Sequence, residues 1–128
     1  MSSTQDNFKR GTAEMLILHM LFEEDKYGYQ ITQELCTKSG GTYKILEGTL
    51  YTILFKMSEE GYISDYIKQV GKKRTRRYYH LEEAGRLAYI QLLNDYDIIA
   101  KSISSILDRE SMARDYDKII KIRNKEIC

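Results

Sequence analysis

A cluster of positive charge near the middle of this sequence has the clearest chemical meaning. Between residues 68 and 81 the chain carries lysine and arginine side chains but no aspartate or glutamate. The cations are Lys68, Lys72, Lys73, Arg74, Arg76 and Arg77. Because the formal net charge of the whole chain is only +1, its average conceals one concentrated cationic segment. Such a segment either contacts a polyanion or forms an ordinary solvated loop.

The segment 46–61 predicts a short helix that carries aromatic side chains on its outer face. On a helical wheel the apolar residues form one stripe, as a buried face should. They are Leu50, Ile53, Leu54 and Met57. Tyr51 and Phe55 fall on the other face, beside Thr52 and Lys56. Aromatic rings on that face either contact a partner or pack under a neighbouring element, and the pattern leaves both alternatives open.

Residues suited to metal binding or catalysis are sparse. The only other histidine besides His19 is His80, and Cys36 and Cys128 are far apart in sequence, so no metal site is predicted. His19 lies in an apolar helical segment and is expected to pack there. The sequence has no GxGxxG motif, no phosphate-binding loop and no cysteine–histidine pair with catalytic spacing. We therefore predict a protein that is not an enzyme and needs no cofactor.

Length and composition predict one folded domain with an appended element. The chain has 128 residues, of which 42% are hydrophobic and 30% charged, so disorder of the whole chain is not expected. The polar start predicts no signal peptide, and no apolar run approaches the roughly 18 residues of a membrane helix. Two cysteines suit a reducing compartment. We expect a soluble, cytoplasmic protein.

The order of predicted elements is three helices, a hairpin and a long helix. Glycine-containing stretches separate helices over about 10–23, 28–39 and 46–61. Residues 62–70 and 78–81 predict two strands, joined by the basic loop 71–75. A long helix is predicted from Glu83 to about Arg109, and residues 111–128 are expected to form a short extra helix. The predicted domains are residues 1–81 and residues 82–128.

Apolar residues on the long helix predict an interface between two copies of the chain. They step by four and three residues, the a/d spacing of a coiled coil. The stripe comprises Tyr89, Leu92, Tyr96, Ile99, Ile103 and Ile106. A helix of this length, about 40 Å at about 1.5 Å per residue, extends beyond the small preceding domain, so a second copy is the simplest partner. Tyr89 and Tyr96 either contact a planar effector there or serve as plain core.

Four short motifs identify a family resemblance. They are Tyr27-Gly28-Tyr29-Gln30-Ile31, Gly48-Thr49-Leu50-Tyr51, Glu60-Gly61-Tyr62-Ile63 and Arg76-Arg77-Tyr78-Tyr79. Over about residues 8–90 the chain resembles the PadR family of bacterial transcriptional regulators. The resemblance implies a mainly α fold with a small β-hairpin, namely a winged helix-turn-helix domain followed by a long dimerisation helix. It also implies a homodimer, often a repressor, that binds an operator in double-stranded DNA and is released by a small effector or stress signal.

The helix-turn-helix reading assigns roles to the residues above. The third helix of such a domain lies in the major groove, and the hairpin, or wing, meets the backbone or the minor groove. The helix candidates are Thr49, Tyr51, Thr52, Phe55 and Lys56. The wing candidates are Lys72, Lys73, Arg74, Arg76 and Arg77. Weaker candidates for DNA contact are Lys9, Arg10 and Tyr29. As a further partner, a small aromatic or hydrophobic effector is expected. The alternative is a protein-binding winged-helix adaptor, since the same fold also serves as a docking module.

Overall fold

A computed structural model of the protein describes residues 11–108 together with residues 5, 8, 9 and 120. Arg10 and the predicted tail helix, apart from residue 120, lie outside the described residues. The described elements are α1 (Ala13–Glu23), β1 (Lys26–Tyr27), α2 (Gly28–Lys38), α3 (Glu47–Glu59), β2 (Ile63–Gly71), β3 (Arg74–Leu81) and α4 (Glu83–Leu107). The predicted order of three helices, a hairpin and a long helix is therefore confirmed. None of the described helices combines the length and hydropathy needed to cross a membrane.

The chain divides into two compact units, residues 1–92 and residues 93–128. The first unit holds a core in which α1 buries side chains around most of its circumference, whereas α2 and α3 each present one apolar face. Strands β2 and β3 and the first turns of α4 complete it. Its most buried members are Ile17, Leu18, Ile31, Leu50, Leu54 and Met57. The domain boundary predicted between residues 81 and 82 stays a prediction.

The sheet has three antiparallel strands in the order β1-β3-β2. The short strand β1 was not predicted; Lys26 pairs with Tyr79, and Tyr27 with Tyr78. Lys26 is only 2% exposed, and its ammonium group donates to Glu34 Oε1 at 3.0 Å. This ion pair joins β1 to α2 and gives the buried Lys26 ammonium group the partner that a buried charge needs.

The hairpin turn is tighter than the predicted loop 71–75. Gly71 ends β2 and Arg74 begins β3, and these two residues are paired, so the turn itself contains only Lys72 and Lys73. A register shift between Gln69 and Gly71 accompanies the turn. The predicted loop was too long, because β3 already begins at Arg74, and its first four side chains are polar and show no apolar alternation that would mark a strand.

The long helix α4 begins against the turn that follows α3. A Cβ atom at Gly85 would lie 2.1 Å from the carbonyl oxygen of Tyr62 and 2.7 Å from Leu81 Cδ1, so only glycine fits there. One turn later, Tyr89 is 8% exposed and its hydroxyl bonds to His19 Nδ1 at 2.7 Å. Tyr89 thus serves the core of its own chain. The sequence pattern placed it on the dimer seam because spacing alone does not say which surface covers a stripe.

Candidate nucleic-acid interface

Helix α3 presents two different faces, as its sequence predicts. Leu50, Leu54 and Met57 are buried in the core. On the opposite face Tyr51 is 43% exposed and Phe55 is 69% exposed. Thr49, Thr52 and Lys56 are exposed as well. The helix therefore displays two aromatic rings, two short hydroxyl side chains and one cation on its outer surface.

A glycine-dependent cap ends α3 and directs the chain into the hairpin. Gly61 has a φ of +77°, which an L side chain rarely adopts. The amide of Tyr62 donates to the Met57 carbonyl at 2.9 Å, and that of Gly61 donates to the Ser58 carbonyl at 3.1 Å. This pair of bonds is the Schellman arrangement. It fixes the direction in which β2 leaves the helix.

The Tyr51 side chain lies over the start of α2. A Cβ atom at Gly28 would lie 2.7 Å from the Tyr51 hydroxyl oxygen and 3.1 Å from its Cζ. The absence of a side chain at Gly28 therefore lets the Tyr51 ring occupy its half-exposed position. The sequence shows Gly28 only as part of a motif. Its contact with Tyr51 could not be predicted, because the close approach of α3 to α2 is a tertiary contact.

Gly28→Ala is expected to destabilise the protein by about 1–3 kcal/mol, because the new methyl group overlaps Tyr51. Urea denaturation measures the change. Gly48→Ala is the matched control: Gly48 also lies in the first turn of a helix, but a Cβ atom there meets nothing within 4 Å. Adding Tyr51→Phe to Gly28→Ala should recover part of the loss. Equal effects of Gly28→Ala and Gly48→Ala would contradict the contact.

The end of the hairpin is strongly cationic. Lys72, Lys73 and Arg74, together called the basic tip, are exposed. None of the three side chains makes an ion pair with any residue in the part of the chain that the structure describes. Their charge is therefore available to a polyanion.

Two further cations of the segment lie over tyrosine rings on the outer face of the sheet. The Arg76 guanidinium carbon is 4.3 Å from the centre of the Tyr27 ring, and Lys68 Nζ is 5.5 Å from that of Tyr78. Tyr78 in turn stacks on Tyr66 at 5.7 Å. Cation–π contact holds Arg76 and Lys68 against the strands. Arg76 is half-buried, unlike the basic tip.

Arg77 points to the opposite side of the sheet, where it meets an acid. Its Nη1 donates to Asp65 Oδ2 at 2.6 Å, and this bond raises the pKa of Arg77. Both residues line a cleft of about 530 Å³ between α3 and the hairpin, together with Tyr51, Phe55 and Tyr79. Burial and the nearby Tyr51 raise the pKa of Tyr79. Asp65 was missed as a site residue because its neighbour across the sheet depends on strand register.

Two of the weaker candidates, Lys9 and Tyr29, and the helix candidate Lys56 differ in whether their side chains have partners. Lys9 Nζ donates to the Thr42 carbonyl at 2.9 Å and lies over the Tyr43 ring. Tyr29 is exposed at the start of α2. Lys56 Nζ is 3.6 Å from Glu14 and 3.9 Å from Glu60, so its charge is partly offset.

Among the described residues, no group of three or more His, Cys, Asp and Glu side chains is placed to hold a metal ion.

The apolar stripe of α4 changes its surroundings along the helix. Leu92 packs against the core of the first unit, as Tyr89 does. Tyr96, Ile99, Ile103 and Ile106 are exposed instead. The part of the predicted seam that remains open in the described chain therefore begins at Tyr96.

Comparison with known proteins identifies relatives. Residues 17–91 match the family described as "Transcriptional regulator PadR-like family". The transcriptional regulator Rv3488 of Mycobacterium tuberculosis is 29% identical over 96 residues, which cover 75% of this chain and 86% of that protein.

Solved structures match over a similar span. A transcriptional regulator from Clostridium thermocellum has 30% sequence identity and a TM-score of 0.72, covering 77% of this chain and 96% of its own. A PadR-like transcriptional regulator from Bacillus cereus has 26% identity and a TM-score of 0.70, covering 79% of this chain and 96% of its own. The predicted winged-helix fold class is confirmed by these likenesses.

Proposed function

Because this chain belongs to the PadR-like family of transcriptional regulators, we propose that it binds DNA sequence-specifically as a homodimeric repressor. We further propose that it acts in the cytoplasm and that a small aromatic or hydrophobic effector, or a stress signal, releases it from its operator. The operator is a double-stranded DNA site. The relatives named above are likewise transcriptional regulators.

The observation that carries the proposal is the pairing of an exposed helix face with a cationic hairpin. The outer face of α3 offers Tyr51, Thr52 and Phe55, side chains that suit phosphates, sugars and thymine methyl groups. The basic tip adds positive charge that no described acid offsets. A helix in the major groove and a hairpin against the backbone would use both surfaces at once.

Two subunits would place two such surfaces on one duplex. A symmetric dimer reads two half-sites, so its operator is expected to be an inverted repeat. The exposed stripe formed by Tyr96, Ile99, Ile103 and Ile106 supports this arrangement, because contiguous exposed apolar side chains on one helix favour a partner. A second copy of the chain is the partner that we propose.

Ile99→Asp combined with Ile103→Asp is expected to convert the protein to monomers, because each subunit would have to bury two carboxylates in the dimer interface. Light scattering measures the mass. Ser102→Asp combined with Ser105→Asp is a matched control on the same helix, at positions outside the predicted stripe. A dimer that persists in the isoleucine variant would show that the seam is elsewhere.

A footprint on the DNA immediately upstream of the protein's own gene tests the function. We expect a protected site of two related halves, and protection that weakens between about 50 and 200 mM salt, because counterions are released on binding. Specific capture of a protein partner without any DNA protection would favour the adaptor hypothesis instead.

A further inference from the structure

One ion pair stands apart from the rest of the cationic segment. Arg77 is hydrogen-bonded to Asp65 at 2.6 Å, whereas the basic tip has no acidic partner among the described residues. The register pairs Asp65 with Tyr79 and Ile67 with Arg77, so Asp65 and Arg77 are diagonal neighbours on one face of the sheet. That face forms one wall of the cleft, and Tyr51 and Phe55 of α3 form the other.

The position of this pair matters because the cleft lies between the two elements that the proposed function places on DNA. If α3 enters the major groove and the hairpin follows the backbone, a strand of the duplex passes the mouth of the cleft. A phosphodiester oxygen and a carboxylate oxygen compete for the same planar guanidinium donors. The two side chains are 54% and 40% exposed, for Arg77 and Asp65 respectively, so phosphate can reach them from solvent.

We propose that Asp65 is a specificity-determining residue. Its carboxylate neutralises Arg77 in the free protein and is displaced from Arg77 only by a DNA phosphate that is seated in the cleft. The inference rests on the proposed function and deepens it. A duplex held loosely by the basic tip leaves the Arg77–Asp65 pair intact and gains no contact from Arg77. A duplex seated against α3 brings a phosphate close enough to displace Asp65. An acid that suppresses loose binding improves discrimination between DNA sites, at some loss of affinity for all of them.

Asp65→Asn is expected to tighten binding to a random-sequence duplex about tenfold at about 0.1 M salt, because each subunit gains one phosphate contact. The slope of log affinity against log salt should steepen by about 2 per dimer, at roughly 0.9 per phosphate. Fluorescence anisotropy on a labelled duplex measures both quantities. A variant that only loses a structural contact would weaken binding, so the expected sign separates the two roles.

Glu59→Gln supplies the matched control. Glu59 lines the same cleft and its substitution removes the same charge, but the hydrogen bond of Arg77 is made to Asp65 and not to Glu59. Both substitutions are repeated with Arg77→Ala. We expect the gain from Asp65→Asn to shrink to that from Glu59→Gln once Arg77 is absent. Asp65→Ser, checked for folding by its melting temperature, repeats the measurement with a second side chain.

The outcomes separate this inference from the proposed function. A wild-type protein that binds no duplex overturns both. A wild-type protein that binds in a salt-dependent manner, with an Asp65→Asn variant that binds equally or more weakly, overturns the inference alone. So does a gain from Asp65→Asn that persists in full without Arg77, because the effect would then be general electrostatics.

Discussion

Replacing Lys72, Lys73 and Arg74 together with alanine is expected to weaken duplex binding on the order of a hundredfold or more at about 0.1 M salt. Each phosphate contact contributes roughly 0.9 to the salt slope, so a dimer that loses six cations should show a slope flatter by up to about 5. The loss should be similar for unrelated sequences, since phosphates carry no base information. Titrations at several salt concentrations give the slope.

The control removes the same number of charges outside the hairpin. Lys38, Arg86 and Lys101 are exposed cations, and replacing them with alanine should change the slope far less. The melting temperature of the basic-tip variant should stay close to that of the wild type, because exposed side chains without partners contribute within about 0.5 kcal/mol. An unchanged slope in the basic-tip variant would contradict the assignment of the hairpin to DNA.

Gly85→Ala is expected to lower the free energy of unfolding by about 3 kcal/mol or more. The added methyl group would overlap the Tyr62 carbonyl, with 2.1 Å between Cβ and the oxygen, and that carbonyl already accepts a bond from the Glu82 amide at 2.9 Å. Backbone atoms held in this way cannot move aside as a flexible side chain can. The first turn of α4 must therefore shift away from the turn that follows α3.

Thermal unfolding measures this effect. At roughly 4–8 °C per kcal/mol for a domain of this size, the melting temperature should fall by about 15 °C. Gly11→Ala is the control, since a Cβ atom there meets nothing within 4 Å. If the Gly85→Ala and Gly11→Ala variants had the same melting temperature, the close approach of α4 to Tyr62 would be wrong.

Local sequence patterns were enough to predict most of the elements. Leu50, Leu54 and Met57 recur at helical spacing, and Gly40, Gly41 and Gly61 have positive φ where helices end or turns follow. These signals act within a few residues, so the sequence displays them directly. The outer position of Tyr51 and Phe55 follows from the same spacing.

Features that depend on contacts between distant segments could not be read in the same way. Strand β1 has only two residues, too few to show alternation, and exists because it pairs with β3. Tyr89 fits the a/d spacing of α4 but packs on Phe22, with their ring centres 5.2 Å apart. The Asp65–Arg77 bond joins side chains on facing strands, so only the register brings them together.

The distribution of charge was also only partly predictable. Six cations in one segment are evident from the sequence, but their environments differ in the fold. Arg76 and Lys68 lie over tyrosine rings, and Arg77 forms an ion pair with Asp65. The basic tip has no acidic partner among the described residues. A count of charges therefore overstates how many of them DNA can use without first displacing a protein partner.

Fluorescence anisotropy between about 50 and 200 mM salt shows whether the purified protein binds a double-stranded oligonucleotide. We predict salt-dependent binding, tightest in the most dilute buffer, by a species with the mass of a dimer. Attraction to the duplex no greater than that of a neutral control protein, at the lowest salt concentration, would contradict the account.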